Sequence, residues 1–237
     1  MINNAIIFAA GKGQRLGLKN KHKSLLKFNN KPLIEIIIEN LLDIKVKNIV
    51  VITGYKSNKF LYLLNKYNEV TIIHNDSYEN KSTAYAGYLV REFFQDNTII
   101  ISGDMLMFNN FFTKIKYSNI MCAIKKNNNR LDWSYELNNE GNIIGYKKTQ
   151  NINSLFLGEW SLLSKEWSKA IVKYLEELFQ NKVINKYQMV DILIFSALKQ
   201  NIKIKPYILS VDDQIDIDNI NDLKFATLKF NFKKTIK

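Results

Sequence analysis

The chain has 237 residues, of which 46% are hydrophobic and 24% charged, with only two prolines and nine glycines. That length supports one α/β domain with a sizeable core, and the composition excludes collagen-like and low-complexity classes. The formal charge of +12 invites a nucleic-acid reading, but the lysines are scattered among Asn and Ile and no recognition motif is present, so nucleic acid is not an expected partner.

The apolar runs, such as 34–38 and 98–101, are too short to cross a bilayer, and no membrane insertion is expected. Residues 5–10 lead into a glycine loop rather than a cleavage site, so no leader peptide is expected. The one cysteine, Cys122, excludes an internal disulfide and is read as core. A cytoplasmic location follows as the expectation.

The first half alternates between strand and helix. Residues 5–10 read as a buried strand stopped by glycine. Pro32 opens a helix to about Ile44, since its fixed φ suits a first turn. Strands follow over 48–53, 70–74 and 98–102, with helices over 57–66 and 82–94, Ser82 serving as N-cap. A short helix is expected over 109–116. The second half reads as strands over 120–124, 133–137, 143–146 and 155–163, joined by Asn-rich turns, with 139–142 a hairpin turn. Helices over 165–180 and 186–200, a strand over 203–209 and a helix from about Asn219 complete the chain.

This pattern predicts an α/β fold: a Rossmann-like, mostly parallel mixed sheet with helices on both faces and a small β-rich insertion for an acceptor. No linker is visible, so 1–237 is read as a single domain, with 1–124 binding nucleotide, 125–187 shaping an acceptor site and 188–237 completing the sheet. Ligands on such sheets bind at the carboxyl ends of the strands. The loop after Ala10, the segment before Ser82 and Asp104 all fall there.

Glycines 11, 13 and 17 after a buried strand let the backbone turn sharply and turn its N–H groups onto phosphate oxygens, and Lys12 and Arg15 add positive charge. The P-loop pattern G-x-x-x-x-G-K-[ST] is absent. Gly17 has the spacing of a dinucleotide fingerprint, but residues 18–27 are too basic and loop-like for the helix that fingerprint needs. A tight strand-to-helix turn is the alternative reading of the loop alone.

Ala9-Ala10-Gly11-Lys12-Gly13-Gln14-Arg15-Leu16-Gly17, then Lys23-Ser24-Leu25, then Asn30-Lys31-Pro32-Leu33-Ile34 resembles the opening of the nucleotidyltransferase superfamily: L-A-A-G-x-G-x-R-[LM], P-K and G-[KR]-P-[LM]-[IL] in that order. Lys81-Ser82-Thr83-Ala84-Tyr85-Ala86 resembles its G-T-A-x-A segment, Ser102-Gly103-Asp104 its metal-binding G-D, and Asp216-Ile217-Asp218 through Asp222-Leu223 its terminal acidic motif. Two departures stand out: His22 replaces the proline before the lysine, and Ser82 replaces a glycine. Lys19, Lys21 and Lys27 lie near enough to Lys23 to leave the register of the lysine open. The overall pattern, with Asn75-Asp76-Ser77-Tyr78 and Asp132-Trp133, looks most like bacterial phosphocholine cytidylyltransferases and their relatives.

The resemblance implies transfer of a nucleotidyl group from an NTP, CTP by this likeness, to a small phosphorylated acceptor. The acceptor phosphate is already ionised, so no general base is required; what is required is positioned positive charge and a metal. By this likeness Arg15 and Lys23 are catalytic, and Ala9, Ala10, Gly11, Gly13, Gln14, Asn80, Ser82, Thr83 and Ala84 bind the nucleotide. Asp104 and Asp218 hold Mg²⁺, a hard cation suited to carboxylates. Trp133, Trp160, Tyr187, Asp191 and Asp216 are the acceptor candidates, aromatics and carboxylates that would suit a quaternary ammonium. A cytidylylated head group would serve cell-surface polysaccharide biosynthesis, and a homodimer is compatible with the sequence. The competing readings are a sugar-1-phosphate nucleotidylyltransferase and a non-catalytic nucleotide-binding regulator.

Overall fold

The apolar run after Asn3 forms a central strand because both of its faces meet apolar layers. Ile6 packs with Val50, Ile52 and Ile100 in one layer, while Ala5, Ile7 and Ala9 pack with Ile49, Val51 and Ile99 in the other. Side chains alternate across a strand, so a strand buried on both sides reads as a continuous apolar run.

A computed structural model describes residues 2–17, 21–126 and 130–235, the last five by backbone alone. The elements in chain order are β1 (Asn4–Ala9), β2 (Lys27–Phe28), β3 (Lys31–Pro32), α1 (Leu33–Asp43), β4 (Asn48–Thr53), α2 (Tyr62–Lys66), β5 (Val70–His74), α3 (Thr83–Leu89), β6 (Thr98–Ser102), β7 (Met105–Met107), β8 (Ile120–Lys125), β9 (Asp132–Leu137), β10 (Ile143–Thr149), β11 (Phe156–Leu163), α4 (Lys165–Gln180), α5 (Met189–Lys199), β12 (Lys205–Ser210), β13 (Gln214–Asp216) and α6 (Ile220–Thr235).

The main sheet is mixed, as expected. Strands β5, β4, β1 and β6 are parallel neighbours. Beyond β6 the chain turns antiparallel: β11 pairs β6, β8 and β9, β10 pairs β9, and β12 pairs β8 in parallel. The β-rich part therefore extends the main sheet. It branches at β11, whose register shifts between Leu157 and Ser161. Gly158 sits in that shift, and a Cβ there would fall 2.3 Å from Cys122 Sγ. Only glycine lets the strands approach so closely. Cys122 itself is buried.

Helices α1, α2 and α6 contribute to one apolar layer, and α3, α4 and α5 to the other. Helices therefore cover both faces. Several helices are shorter than the sequence pattern predicts. The expected helix over 57–66 is a 3₁₀ turn followed by α2, and that over 82–94 ends at Val90, whose N–H returns to Gly87 and Tyr88. The helix expected from 186 begins at Met189, where Gln188 and Asp191 form a capping box. The expected helix over 109–116 is a single 3₁₀ turn, Phe111–Lys114. The hairpin turn before β10 is present, with Gly141 at φ 71°.

One small element was not expected. Strand β13 pairs antiparallel with β7, matching Asp216 to Met105 and Gln214 to Met107. The Ile217 N–H extends the ribbon to the Asp104 carbonyl at 3.1 Å. This ribbon brings the start of α6 to the carboxyl end of β6.

Candidate active site

The site begins where β1 ends. Gly13 and Gly17 both adopt φ +61°, which glycine reaches without strain, and the residues between them form one 3₁₀ turn. Gly13 also lies directly beneath Lys23, since a Cβ there would fall 2.4 Å from Lys23 Cγ. Lys23 stands on a second 3₁₀ turn, Lys23–Leu25, capped by His22, whose Nδ1 accepts from the Ser24 N–H at 3.1 Å. The His22 ring packs edge-on to Phe60 at 4.9 Å. Histidine thus does by capping and packing what the family's proline does by its ring: it fixes the backbone just before the lysine.

Lys23 is the lysine aimed into the site. Its Nζ donates to Asp104 Oδ2 at 2.7 Å and to Asp218 Oδ1 at 2.8 Å. Arg15 meets the same Asp218 oxygen at 2.9 Å. The alternative Lys19 lies outside the described residues. Gly103 allows β6 to close on β1, because a Cβ there would meet Ala9 Cβ and the Phe8 carbonyl at 2.9 Å. Asp104 is oriented by the Ser102 hydroxyl, which donates to Oδ1 at 2.5 Å. Asp218 is held by Asp222, whose carboxylate accepts the backbone N–H groups of Asp218 and Asn219 at 3.0 Å.

Two more carboxylates border the pair. Burial pushes the Glu159 carboxyl up to about 7, and the charges of Asp104 and Asp218 add to that push against Ser102 and Lys23. Burial, then Glu159 and Asp104, also raise Asp216 well above the usual range, and Asp216 Oδ1 is buried without a hydrogen-bond partner. Burial alone would lower the Lys23 ammonium, yet Asp104 and Asp218 outweigh it and leave it raised. Lys23 and Arg15 therefore face Asp104 and Asp218, while burial biases Glu159 and Asp216 toward their neutral forms. Among the described residues no three His, Cys, Asp or Glu side chains are grouped to hold a metal ion. A cation here would be held by Asp104 and Asp218 together with substrate oxygens, a hard, all-oxygen set that fits Mg²⁺.

His22 gives the site an acid limit. Burial lowers its imidazole to about 4. A depressed folded-state pKa favours the fold above the unfolded value, near 6.5, and that contribution fades as pH falls toward 4. His22→Gln, which cannot take up a proton, should lose less stability than the parent between pH 7 and pH 4.5, by about 2 kcal/mol. Urea unfolding of both proteins at the two pH values measures this; equal losses would remove His22 as the cause.

Of the nucleotide-binding candidates, Gly13, Gln14, Asn80 and Thr83 line two cavities, and Ala9, Ala10, Gly11, Ser82 and Ala84 line neither. Gly13, Gln14, Arg15, Lys23 and Asn80 line one of about 470 Å³, together with Lys12, Tyr78 and Glu79. Lys12 closes its rim through a 2.8 Å ion pair to Glu79. Gly11 has open space around its Cα, and the Ala10 carbonyl accepts from the Tyr55 N–H at 3.0 Å. Thr83 lines a second cavity of about 280 Å³, with Ser102, Glu159, Gln188 and Met189. Ser82 caps α3 through Tyr85 N–H, and Ala84 is buried beneath it. Thr83 Oγ1 binds Gln188 and the Met189 N–H, tying α3 to α5.

The acceptor candidates do not converge on one point. Trp160 is a core residue: its indole is 2% exposed, stacks on Phe111 at 5.6 Å and donates to Gln214 at 3.0 Å. Trp133 is 44% exposed on β9, against Tyr146 at 5.2 Å. Asp191 accepts from Tyr146 Oη at 2.6 Å while capping α5. Tyr187 packs between Tyr174 and Phe195. Asp216 lines a groove with Arg15, Lys126 and Asp218. Glu159 was not foreseen; its only sequence signal is a carboxylate in the middle of a strand otherwise read as apolar.

Residues 5–186 match the MobA-like NTP transferase domain family. The chain is similar to the choline-phosphate cytidylyltransferase of Haemophilus influenzae, 29% identical over 221 residues that cover 92% of this chain and 94% of that protein. It is also similar to the 2-aminoethylphosphonate cytidylyltransferase of Lancefieldella rimae, 29% identical over 199 residues, 78% of this chain and 80% of the relative. The solved structure of the CTP:phosphocholine cytidylyltransferase of Streptococcus pneumoniae shares its fold, with a TM-score of 0.84 at 24% identity over 96% of this chain and 99% of that one. Among the described residues no helix is long and apolar enough to cross a membrane. The glycine loop, the lysine packed against it and the two aspartates opposite thus belong to an enzyme, a nucleotidyltransferase of the MobA-like NTP transferase domain family.

Proposed function

We propose that this enzyme transfers a cytidylyl group from CTP to a small phosphorylated amine, with phosphocholine the first acceptor to test, and releases pyrophosphate. The observation that carries the reaction type is the meeting of Lys23 with Asp104 and Asp218 at the carboxyl end of the sheet. The likeness to a choline-phosphate cytidylyltransferase along nearly the whole chain supports CTP and the acceptor class.

An oxygen of the acceptor phosphate attacks the α-phosphorus, a new P–O bond forms, and the bond to pyrophosphate breaks. No proton has to be removed first. Backbone N–H groups of the glycine loop and Arg15 hold the β- and γ-phosphates, and Lys23 balances the charge gathering around the α-phosphate. Asp104 and Asp218 would hold Mg²⁺, which when bound neutralises phosphate oxygens and the leaving pyrophosphate. The 280 Å³ cavity beside Glu159 receives the acceptor head, where the carboxylate suits a cationic amine. The cytoplasm, where NTPs are available, is the fitting place, and an activated head group of this kind suits decoration of surface polysaccharide.

The test is pyrophosphate release from each of the four NTPs against phosphocholine, 2-aminoethylphosphonate and glucose 1-phosphate, with and without Mg²⁺. CTP with an amine-bearing acceptor should exceed every sugar-phosphate pair in kcat/KM by about 100-fold or more, the scale a site built for one polar substrate reaches. Fastest turnover with UTP or dTTP and the sugar phosphate would overturn the cytidylyl reading, and undiminished turnover in EDTA would overturn the metal.

A further inference from the structure

One ammonium serves two carboxylates here. Lys23 Nζ lies 2.7 Å from Asp104 and 2.8 Å from Asp218, and Arg15 adds a second cation on the same Asp218 oxygen at 2.9 Å. A divalent cation held by these two aspartates would sit close to that ammonium, since Lys23 and Ser102 already take the two Asp104 oxygens and Lys23 and Arg15 share Asp218 Oδ1. A hard cation binds oxygen at about 2.0–2.1 Å. An ammonium and a divalent ion drawn to one point repel each other strongly in a partly enclosed site. The lysine has little freedom to step aside by small shifts: its side chain is 11% exposed and its stem lies against Gly13.

We propose that Lys23 is the built-in counter-ion of Asp104 and Asp218, and that it excludes free divalent cation until a nucleotide draws the ammonium away. The α-phosphate offers Lys23 a new anionic partner, and the two aspartates then become available to the cation. Metal and nucleotide are therefore taken up together, as the metal–nucleotide complex, rather than metal first. The coupling is reciprocal, so the cation also tightens the nucleotide. This rests on the place given above to the cation, between Asp104 and Asp218.

Binding of Mn²⁺ alone to the full chain, followed by electron paramagnetic resonance of the free ion, tests it without turnover. Lys23→Met keeps the apolar stem over Gly13 and removes the charge; Lys23→Arg keeps the charge. Without nucleotide, Lys23→Met should bind Mn²⁺ about tenfold or more tightly than the parent, while Lys23→Arg stays as weak as the parent. The non-hydrolysable α,β-methylene analogue of CTP should tighten Mn²⁺ in the parent by a larger factor than in Lys23→Met, where the phosphate oxygens still add ligands but no ammonium has to be displaced. Equal Mn²⁺ affinity in nucleotide-free parent and Lys23→Met would overturn the competition. If Lys23→Met binds no more tightly than a Lys23→Met/Asp104→Asn double variant, the cation's place fails as well, so the two failures are distinguishable. Circular dichroism and a thermal melt establish that each variant is folded.

Discussion

Lys23→Ala should lower kcat for pyrophosphate release by about 100- to 1,000-fold, the usual loss when one positioned charge on a developing anion is removed. The expectation follows from where the ammonium is held. It is fixed between a capped turn, a glycine that leaves room for its stem, and two carboxylates opposite. KM for the nucleotide should move far less than kcat, because Arg15 and the loop N–H groups still hold the two outer phosphates. The same change leaves Asp104 and Asp218 without their lysine. Losing one partner of a fully buried pair costs about 3–5 kcal/mol, but Asp218 is 37% exposed, so the loss in stability should be smaller. A folded Lys23→Ala enzyme with parental kcat would remove Lys23 from the reaction.

Gly13→Ala should be nearly as damaging, for a different reason. Alanine at φ +61° carries about 1–2 kcal/mol of backbone strain. That alone shifts a melting temperature by only several degrees in a chain of this size. The larger effect is steric: the new methyl would lie 2.4 Å from Lys23 Cγ and 2.9 Å from Cδ, so the lysine must leave its place. Displacing a reacting group by about 1 Å can cost about 100-fold in rate. Gly17→Ala supplies the comparison, since Gly17 has the same φ of +61° but nothing within 4 Å of its Cβ position. It should share the loss in melting temperature and keep activity within a few-fold. Similar kcat values for the two variants would refute the steric account.

Much of this was legible in the residues. The apolar runs at 5–10, 48–53 and 98–102 predicted strands of a mostly parallel sheet, and β1, β4 and β6 are parallel neighbours in it. Lys23, Asp104 and Asp218 were singled out from motif order alone, and they touch. The ribbon of β7 and β13 was not legible, because two three-residue strands have no period of their own; what stabilises them is pairing across more than a hundred positions. Trp160 is buried and also lines the 280 Å³ cavity, and residue type does not tell which face of a strand points inward. Its place against Phe111 and Tyr207 follows from the register of β11 with β6 and β8, which no local pattern encodes. Glu159, the residue before it, lines the same cavity. The role of His22 was hidden because a cap and a proline restrict the backbone by unrelated means.

The β7–β13 ribbon also bears on when the site is completed during synthesis, since it carries Asp218 to Asp104. The contact between Lys23 and Asp218 closes across 195 positions of sequence. Contacts so distant form late, after the local and sheet pairings that reward the cost of closing the chain. A nascent chain that has made the glycine loop, the lysine and Asp104 still lacks Asp218, which lies more than a hundred positions further on. On the proposed mechanism a chain without Asp218 lacks half of its carboxylate pair, so half-made molecules would not turn over nucleotide.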